Sequence, residues 1–198
     1  TGDMDLSSIC VTTPPINNNC SGATGLTVNP TSVCTTSTSG TTIGASQSQT
    51  GCVGTADDDV WYSFVATSTA HTITVTPGTL SDAVLEVFSG SCGSLVSQSC
   101  MDSTAGSSNE TVTLTGLTAT NTYFVRIHSY GSSGRGTFSV CVTTPPNPCS
   151  SISTIATCGT TINANIASGT GLYANGCGNS TPGSELIYSF TPTSTGAY

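Results

Sequence analysis

The residues with the most chemistry to offer are ten cysteines, two histidines and a small set of acids in a chain of 198 residues. No Cys-x-x-Cys pair occurs, and His71 and His128 are remote in sequence from most cysteines, so zinc ligation is a poor fit. The cysteines suit a disulfide framework formed in an oxidising compartment. Cys20, Cys34, Cys52, Cys92, Cys100 and Cys141 fall in one stretch, and six cysteines permit fifteen pairings. The segment between Cys92 and Cys100 can fold back as a tight loop, which would pair those two. Cys20 with Cys34 is plausible, echoed later by Cys149 with Cys158, and Cys52 is then left for Cys141.

Acids gather in loops: Asp57, Asp58 and Asp59 in one, Asp82 near a strand start, and Asp102 and Glu110 with Asn109 in another. Hard cations take six to eight such oxygens, so Asp57, Asp58 and Asp59 are the candidate calcium ligands; otherwise no cofactor is expected. The competing reading is that these acids keep a nearly neutral protein soluble. No Gly-x-Ser-x-Gly elbow and no phosphate loop is present, and serine is too abundant for a Ser/His/Asp triad to be argued from presence. A catalytic role is not expected.

Charge restricts the partners further. Lysine is absent, Arg126 and Arg135 are the only fixed cations, and the net charge is −8. Nucleic-acid binding and docking to an anionic membrane both need basic clusters, and neither is expected. No apolar run is long enough to span a bilayer as a helix.

The elements that position these groups are short strands. Thr and Ser alternate with Val, Ile, Leu, Tyr and Phe, which suits half-buried pleats. Runs at 59–66, 72–76, 83–88, 111–115, 122–128 and 137–142 read as strands, with weaker ones at 25–28 and 41–44. No segment keeps a helical period for three turns. About eight such strands separated by turn residues predict an all-β, antiparallel, jelly-roll-like β-sandwich stapled by disulfides. Trp61, between Val60 and Tyr62, is expected to anchor the core. The threonine alternation at 111–115 could suggest an ice- or glycan-binding face, but the solvent side of any sheet can look like this.

Laid against itself, the chain repeats. Cys141-Val-Thr-Thr-Pro-Pro matches Cys10-Val-Thr-Thr-Pro-Pro, and Tyr62-Ser-Phe64 matches Tyr188-Ser-Phe190. Modules in tandem are therefore expected: residues 1–13 as the last strand of a preceding module or a donor strand, 14–145 as a complete module, and 146–198 as the first part of a second. The chain ends where a strand of the repeat should begin, so an excerpt of a longer protein is expected. An incomplete sandwich exposes strand edges. Leu6, Ile9 and Val11 are the candidate residues for complementing a neighbour's sheet.

The run Ala56-Asp-Asp-Asp-Val-Trp-Tyr-Ser-Phe64, then Asp82-Ala-Val-Leu-Glu-Val-Phe-Ser-Gly-Ser-Cys-Gly93, Cys100-Met-Asp102 and Thr122-Tyr-Phe-Val-Arg-Ile127, resembles the bacterial pre-peptidase C-terminal-like domain. In its cysteines it looks like the form repeated in large secreted and surface proteins of Bacteroidetes. Met101 departs from that pattern, where Asn is expected. The resemblance implies secretion, a cell-surface setting and a non-catalytic role. Asp102-Ser103-Thr104 resembles the O-glycosylation pattern of that group, making Ser103 the candidate acceptor. Asn19, Asn109 and Asn179 begin Asn-x-Ser/Thr sequons. The expected function is a structural or adhesive repeat of an extracellular fibre or giant surface protein, partnered by copies of itself or adjacent modules. The alternative is an accessory module of a secreted hydrolase that holds substrate or surface glycans.

Overall fold

A computed structural model describes residues 13–146 throughout and, beyond them, four two-residue strands. Contacts divide the chain into two units, Thr1–Pro145 and Pro146–Tyr198. Cys10, Cys149, Cys158, Cys177 and the candidate donor residues Leu6, Ile9 and Val11 lie outside the described residues.

Among its described residues the first unit holds ten strands: β1 (Thr24–Gly25), β2 (Val28–Asn29), β3 (Thr38–Thr41), β4 (Val60–Val65), β5 (Ala70–Pro77), β6 (Ala83–Ser91), β7 (Ser94–Met101), β8 (Glu110–Thr115), β9 (Thr122–Ser129) and β10 (Thr137–Thr143). One 3-10 turn spans Cys20–Gly22. The front sheet runs β1-β4-β9-β6-β7. The back sheet runs β2-β10-β5-β8, with β3 also on β10. All pairs are antiparallel except β1 with β4 and β2 with β10, so both sheets are mixed.

Period-two alternation explains which faces meet. Val60, Tyr62 and Phe64 of β4 and Val125 and Ile127 of β9 point inward from the front sheet. Ile73 and Val75 of β5 and Val140 and Val142 of β10 face them from the back. Each such fully buried side chain contributes about 1.5–3 kcal/mol. The six strong strand expectations correspond to β4, β5, β6, β8, β9 and β10.

Alternation does not predict β7, because Ser94-Leu-Val-Ser-Gln-Ser lacks it. It forms by hairpin from β6 around Cys92-Gly93, with Ser91 opposite Ser94 and Gly90 at φ 98°. That hairpin corrects the disulfide pairing. Cys92 sits at the turn and Cys100 near the far end of β7, and eight extended residues put them roughly 25 Å apart. The bonds are Cys20–Cys92, Cys34–Cys141 and Cys52–Cys100, with Cα separations of 5.5, 6.3 and 6.3 Å. The expected pairs Cys92–Cys100, Cys20–Cys34 and Cys52–Cys141 do not form. Each cysteine instead joins a loop to a strand or turn distant in sequence.

In the second unit, β11 (Ser153–Thr154) pairs in parallel with β14 (Tyr188–Ser189), and β12 (Asn175–Gly176) pairs antiparallel with β13 (Asn179–Ser180). The same Tyr-Ser dipeptide takes a two-residue parallel partner in the first unit, where Thr24 lies opposite Tyr62.

Candidate functional site

The outer face of the front sheet carries the chain's densest chemistry. Residues of opposite parity to the core align across it: Trp61 lies opposite Arg126, Arg126 opposite Glu86, and Glu86 opposite Cys100. An outward row of this kind normally meets water. Here Trp61 and Arg126 are each 1% exposed and Glu86 2%, because residues 46–55 form a strap across them. The strap is flanked by buried Ala45 and Ala56, and none of its own side chains is buried.

Hydrogen bonds tie the strap to the row. Arg126 Nε donates to Glu86 Oε2 at 2.9 Å, and its two terminal nitrogens donate to the carbonyls of Gln49 and Thr50, each at 2.9 Å. A further contact of 3.3 Å reaches Asp59 Oδ2. The Ser48 amide and hydroxyl donate to Asp59 at 3.0 and 2.8 Å, and Trp61 Nε1 donates to Ser48 Oγ at 2.8 Å. The Cys52 amide donates to Glu86 Oε1. The guanidinium lies 5.6 Å from the Trp61 ring centroid and 5.8 Å from that of Phe88. Burial pushes the Asp59 carboxyl above its usual range, opposed by the Ser48 hydrogen bonds and the Arg126 charge. A buried ion cluster holds together only when its donors and acceptors are matched, as they are here.

The three successive aspartates fan out to separate partners. Asp57 pairs with Arg135 at the surface, 3.1 Å away. Asp58 is fully buried and accepts from the Ser129 amide and hydroxyl at 3.0 and 2.8 Å. Asp59 turns to Ser48 and Arg126. Their carboxylates therefore do not converge on one point. Cys52, Glu86 and Cys100 place ligand-type atoms within 4.8 Å of one another, but the two sulfurs are bonded together and offer no thiolate.

Both histidines are fully buried. His71 Nε2 accepts the amides of Thr67 and Ser68 at 3.0 and 3.2 Å, so the proton sits on Nδ1, 3.3 Å from the Thr143 carbonyl. His128 Nδ1 donates to the Ser129 carbonyl at 2.8 Å, while Nε2 has no hydrogen-bond partner. Burial holds both imidazoles below their usual pKa.

Ser103, the candidate O-glycan acceptor, is exposed, and its amide and hydroxyl both donate to Glu110 Oε2 at 3.0 Å. Thr104 does the same to Oε1, at 2.8 and 2.6 Å. Glu110 is thus the fully buried clamp of the loop before β8. Its parity with Val112 and Leu114 was the signal available in the sequence. Arg126 and Glu86 carried no such signal, since outward charged residues ordinarily read as solvated. Trp61 is buried as expected, but on the strap side of the sheet and outside the inter-sheet core.

Beside Trp61 and Ser48 lies a shallow recess of about 360 Å³, lined also by Asn19, Ser21, Gln49 and Leu95. No helix among the described residues is long and apolar enough to cross a membrane.

A family model described as galactose binding domain-like, associated with the type IX secretion system, matches residues 16–140. No match to a curated protein was found. The match supports a β-sandwich module of Bacteroidetes secretion and does not confirm the pre-peptidase C-terminal-like assignment. With the match covering well over half its length, the chain belongs to the galactose-binding-domain-like family associated with type IX secretion.

Proposed function

We propose that the chain is a non-catalytic structural module of a secreted surface or fibre protein, built to keep its shape outside the cell. The observation that carries this reading is the set of three disulfides, closing loops with sequence separations of 72, 107 and 48 around one sandwich. The recurrence of the Tyr-Ser parallel pairing in the second unit supports a repeated architecture. β7 and β8 end their sheets with free edges among the described residues, which supports strand addition between modules or copies. The test is digestion of the oxidised protein by a broad-specificity protease, together with electron microscopy of the full gene product. Persistence of a core near residues 14–145 and repeated or filamentous particles are expected. Rapid digestion of the oxidised form, or isolated particles alone, would overturn the reading.

A second reading is favoured by the recess beside Trp61. Asn19, Ser21 and Gln49 supply neutral amides and hydroxyls of the kind that meet sugar hydroxyls, and the family description names a sugar. A glycan array probed with the intact chain tests it: binding abolished by Asn19→Ala with Gln49→Ala supports it, and no bound glycan overturns it.

A further inference from the structure

We infer that Cys52–Cys100 is a reducible latch that holds the strap shut over the ionic chamber, and that its reduction opens the chamber while the sandwich stays folded. Three observations converge on this.

The first is accessibility. Among the three described disulfides, only this one has both cysteines exposed. Cys141 is 7% exposed, and Cys20 is half-buried. A thiolate in solution therefore reaches Cys52–Cys100 more readily than the others.

The second is how the strap is attached. Residues 46–55 bury no side chain, so apolar packing gives this segment little resistance to opening. Apart from the disulfide, its attachments are hydrogen bonds to Asp59, Arg126, Glu86 and Trp61 in the chamber below and to Asn18 and Tyr130 at its two ends. The disulfide restrains the open ensemble, and removing it favours opening.

The third is what lies beneath. Opening an apolar core exposes hydrocarbon to water. Opening this chamber lets water reach Arg126, Glu86 and Asp59, which offsets part of the cost of breaking their hydrogen bonds. The inter-sheet core stays closed, because Val60, Tyr62, Leu85, Val87, Val125 and Ile127 belong to the opposite face of β4, β6 and β9.

The exchange step is balanced by a low-molecular-weight thiol. Its thiolate attacks one sulfur of the Cys52–Cys100 bond, a mixed disulfide forms, and the other cysteine leaves as a thiolate. A second thiol displaces the first cysteine. Two protein thiols and one small-molecule disulfide result, with two electrons transferred and the protons retained. The device does not depend on the spacer reading above.

Trp61 is the single tryptophan of the chain and donates to Ser48 in the strap, so it reports the opening directly. The experiment titrates the oxidised protein with dithiothreitol, traps thiols with iodoacetamide and maps them by peptide mass spectrometry. Tryptophan emission, acrylamide quenching and far-ultraviolet circular dichroism are followed in parallel. Among the six cysteines of the three described disulfides, Cys52 and Cys100 are expected to label first, with Trp61 emission shifting red, quenching rising several-fold and the β-sheet spectrum unchanged. Simultaneous labelling of all six mapped cysteines would overturn the inference. So would an unaltered Trp61 signal once Cys52 and Cys100 are reduced, or loss of the β spectrum at that point. The variant Cys52→Ser with Cys100→Ser gives an independent check: folded protein with quenchable Trp61 supports the latch, whereas shielded Trp61 or an unfolded chain refutes it.

Discussion

Replacing Arg126 by Leu is the sharpest probe of the strapped face. The guanidinium is 1% exposed and donates to Glu86, Asp59 and the carbonyls of Gln49 and Thr50. Leucine fills part of the volume but leaves two carboxylates, 2% and 0% exposed, without their shared cation. Breaking a buried pair by removing one partner costs about 3–5 kcal/mol. The two strap carbonyls add about 1 kcal/mol each if the strap stays closed. A loss of about 5 kcal/mol or more is therefore expected at pH 7, a large share of the roughly 5–15 kcal/mol typical of a domain. The assay is chemical denaturation of the oxidised protein, followed by Trp61 fluorescence. The pH dependence gives a second handle. Burial already raises the Asp59 carboxyl, and losing the opposing Arg126 charge raises it further in the folded variant, so the penalty grows as pH rises above its unfolded value. The gap between variant and parent should thus be widest at pH 7 and narrow towards about pH 4, where unfolded carboxyls protonate. A loss below about 1 kcal/mol, or a gap independent of pH, would refute the reasoning that this cluster is a matched ionic unit.

Three further outcomes follow from individual residues. Because burial holds the His71 imidazole below its usual range, the unfolded chain binds protons first; stability should fall as pH drops through about 6.5, and His71→Gln should remove part of that slope in denaturation melts. Burial works against the Glu110 charge, but hydrogen bonds from Ser103 and Thr104 hold its carboxyl below the ordinary value, so the stability it lends is present above that value and is lost as pH falls through its lower folded pKa. Glu110→Gln should cost about 2–3 kcal/mol at pH 7 and speed hydrogen exchange at 102–109, while unchanged exchange there would contradict the clamp. Joint replacement of Cys34 and Cys141 by Ser opens a loop of sequence separation 107 and should cost about 4–5 kcal/mol, measured by denaturation after the pairing has been confirmed by peptide mapping.

The sandwich was readable because inter-sheet core positions recur at period two along its strands. Val60, Tyr62 and Phe64 fall on one parity and Ile73 and Val75 on another stretch of the same kind. β7 was not readable, since Ser94–Met101 owes its extended form to a neighbour, β6, and lacks a pattern of its own. The disulfide pairing was lost with it: proximity in sequence favoured Cys92 with Cys100, and only the hairpin reveals that a strand holds them apart. The ionic chamber was hidden for a different reason. Arg126, Glu86 and Asp59 are separated by tens of residues and sit at outward positions, and nothing local announces that a polar strap will cover them. Glu110 lay in between. Its parity with Val112 marked it as inward, while its partners in the preceding loop required the folded chain.

The bond from Cys34 to Cys141 also governs what happens when the two ends of the module are pulled apart. Tension entering near residue 14 travels only as far as Cys34 before it passes through sulfur to the last strand and leaves the module. The intervening segment, which contains seven of the ten strands whole, lies outside the line of force. A module wired in this way can give up the short strands β1 and β2 and the end of β10 to traction, while the strands enclosed by the bond bear no load until it breaks.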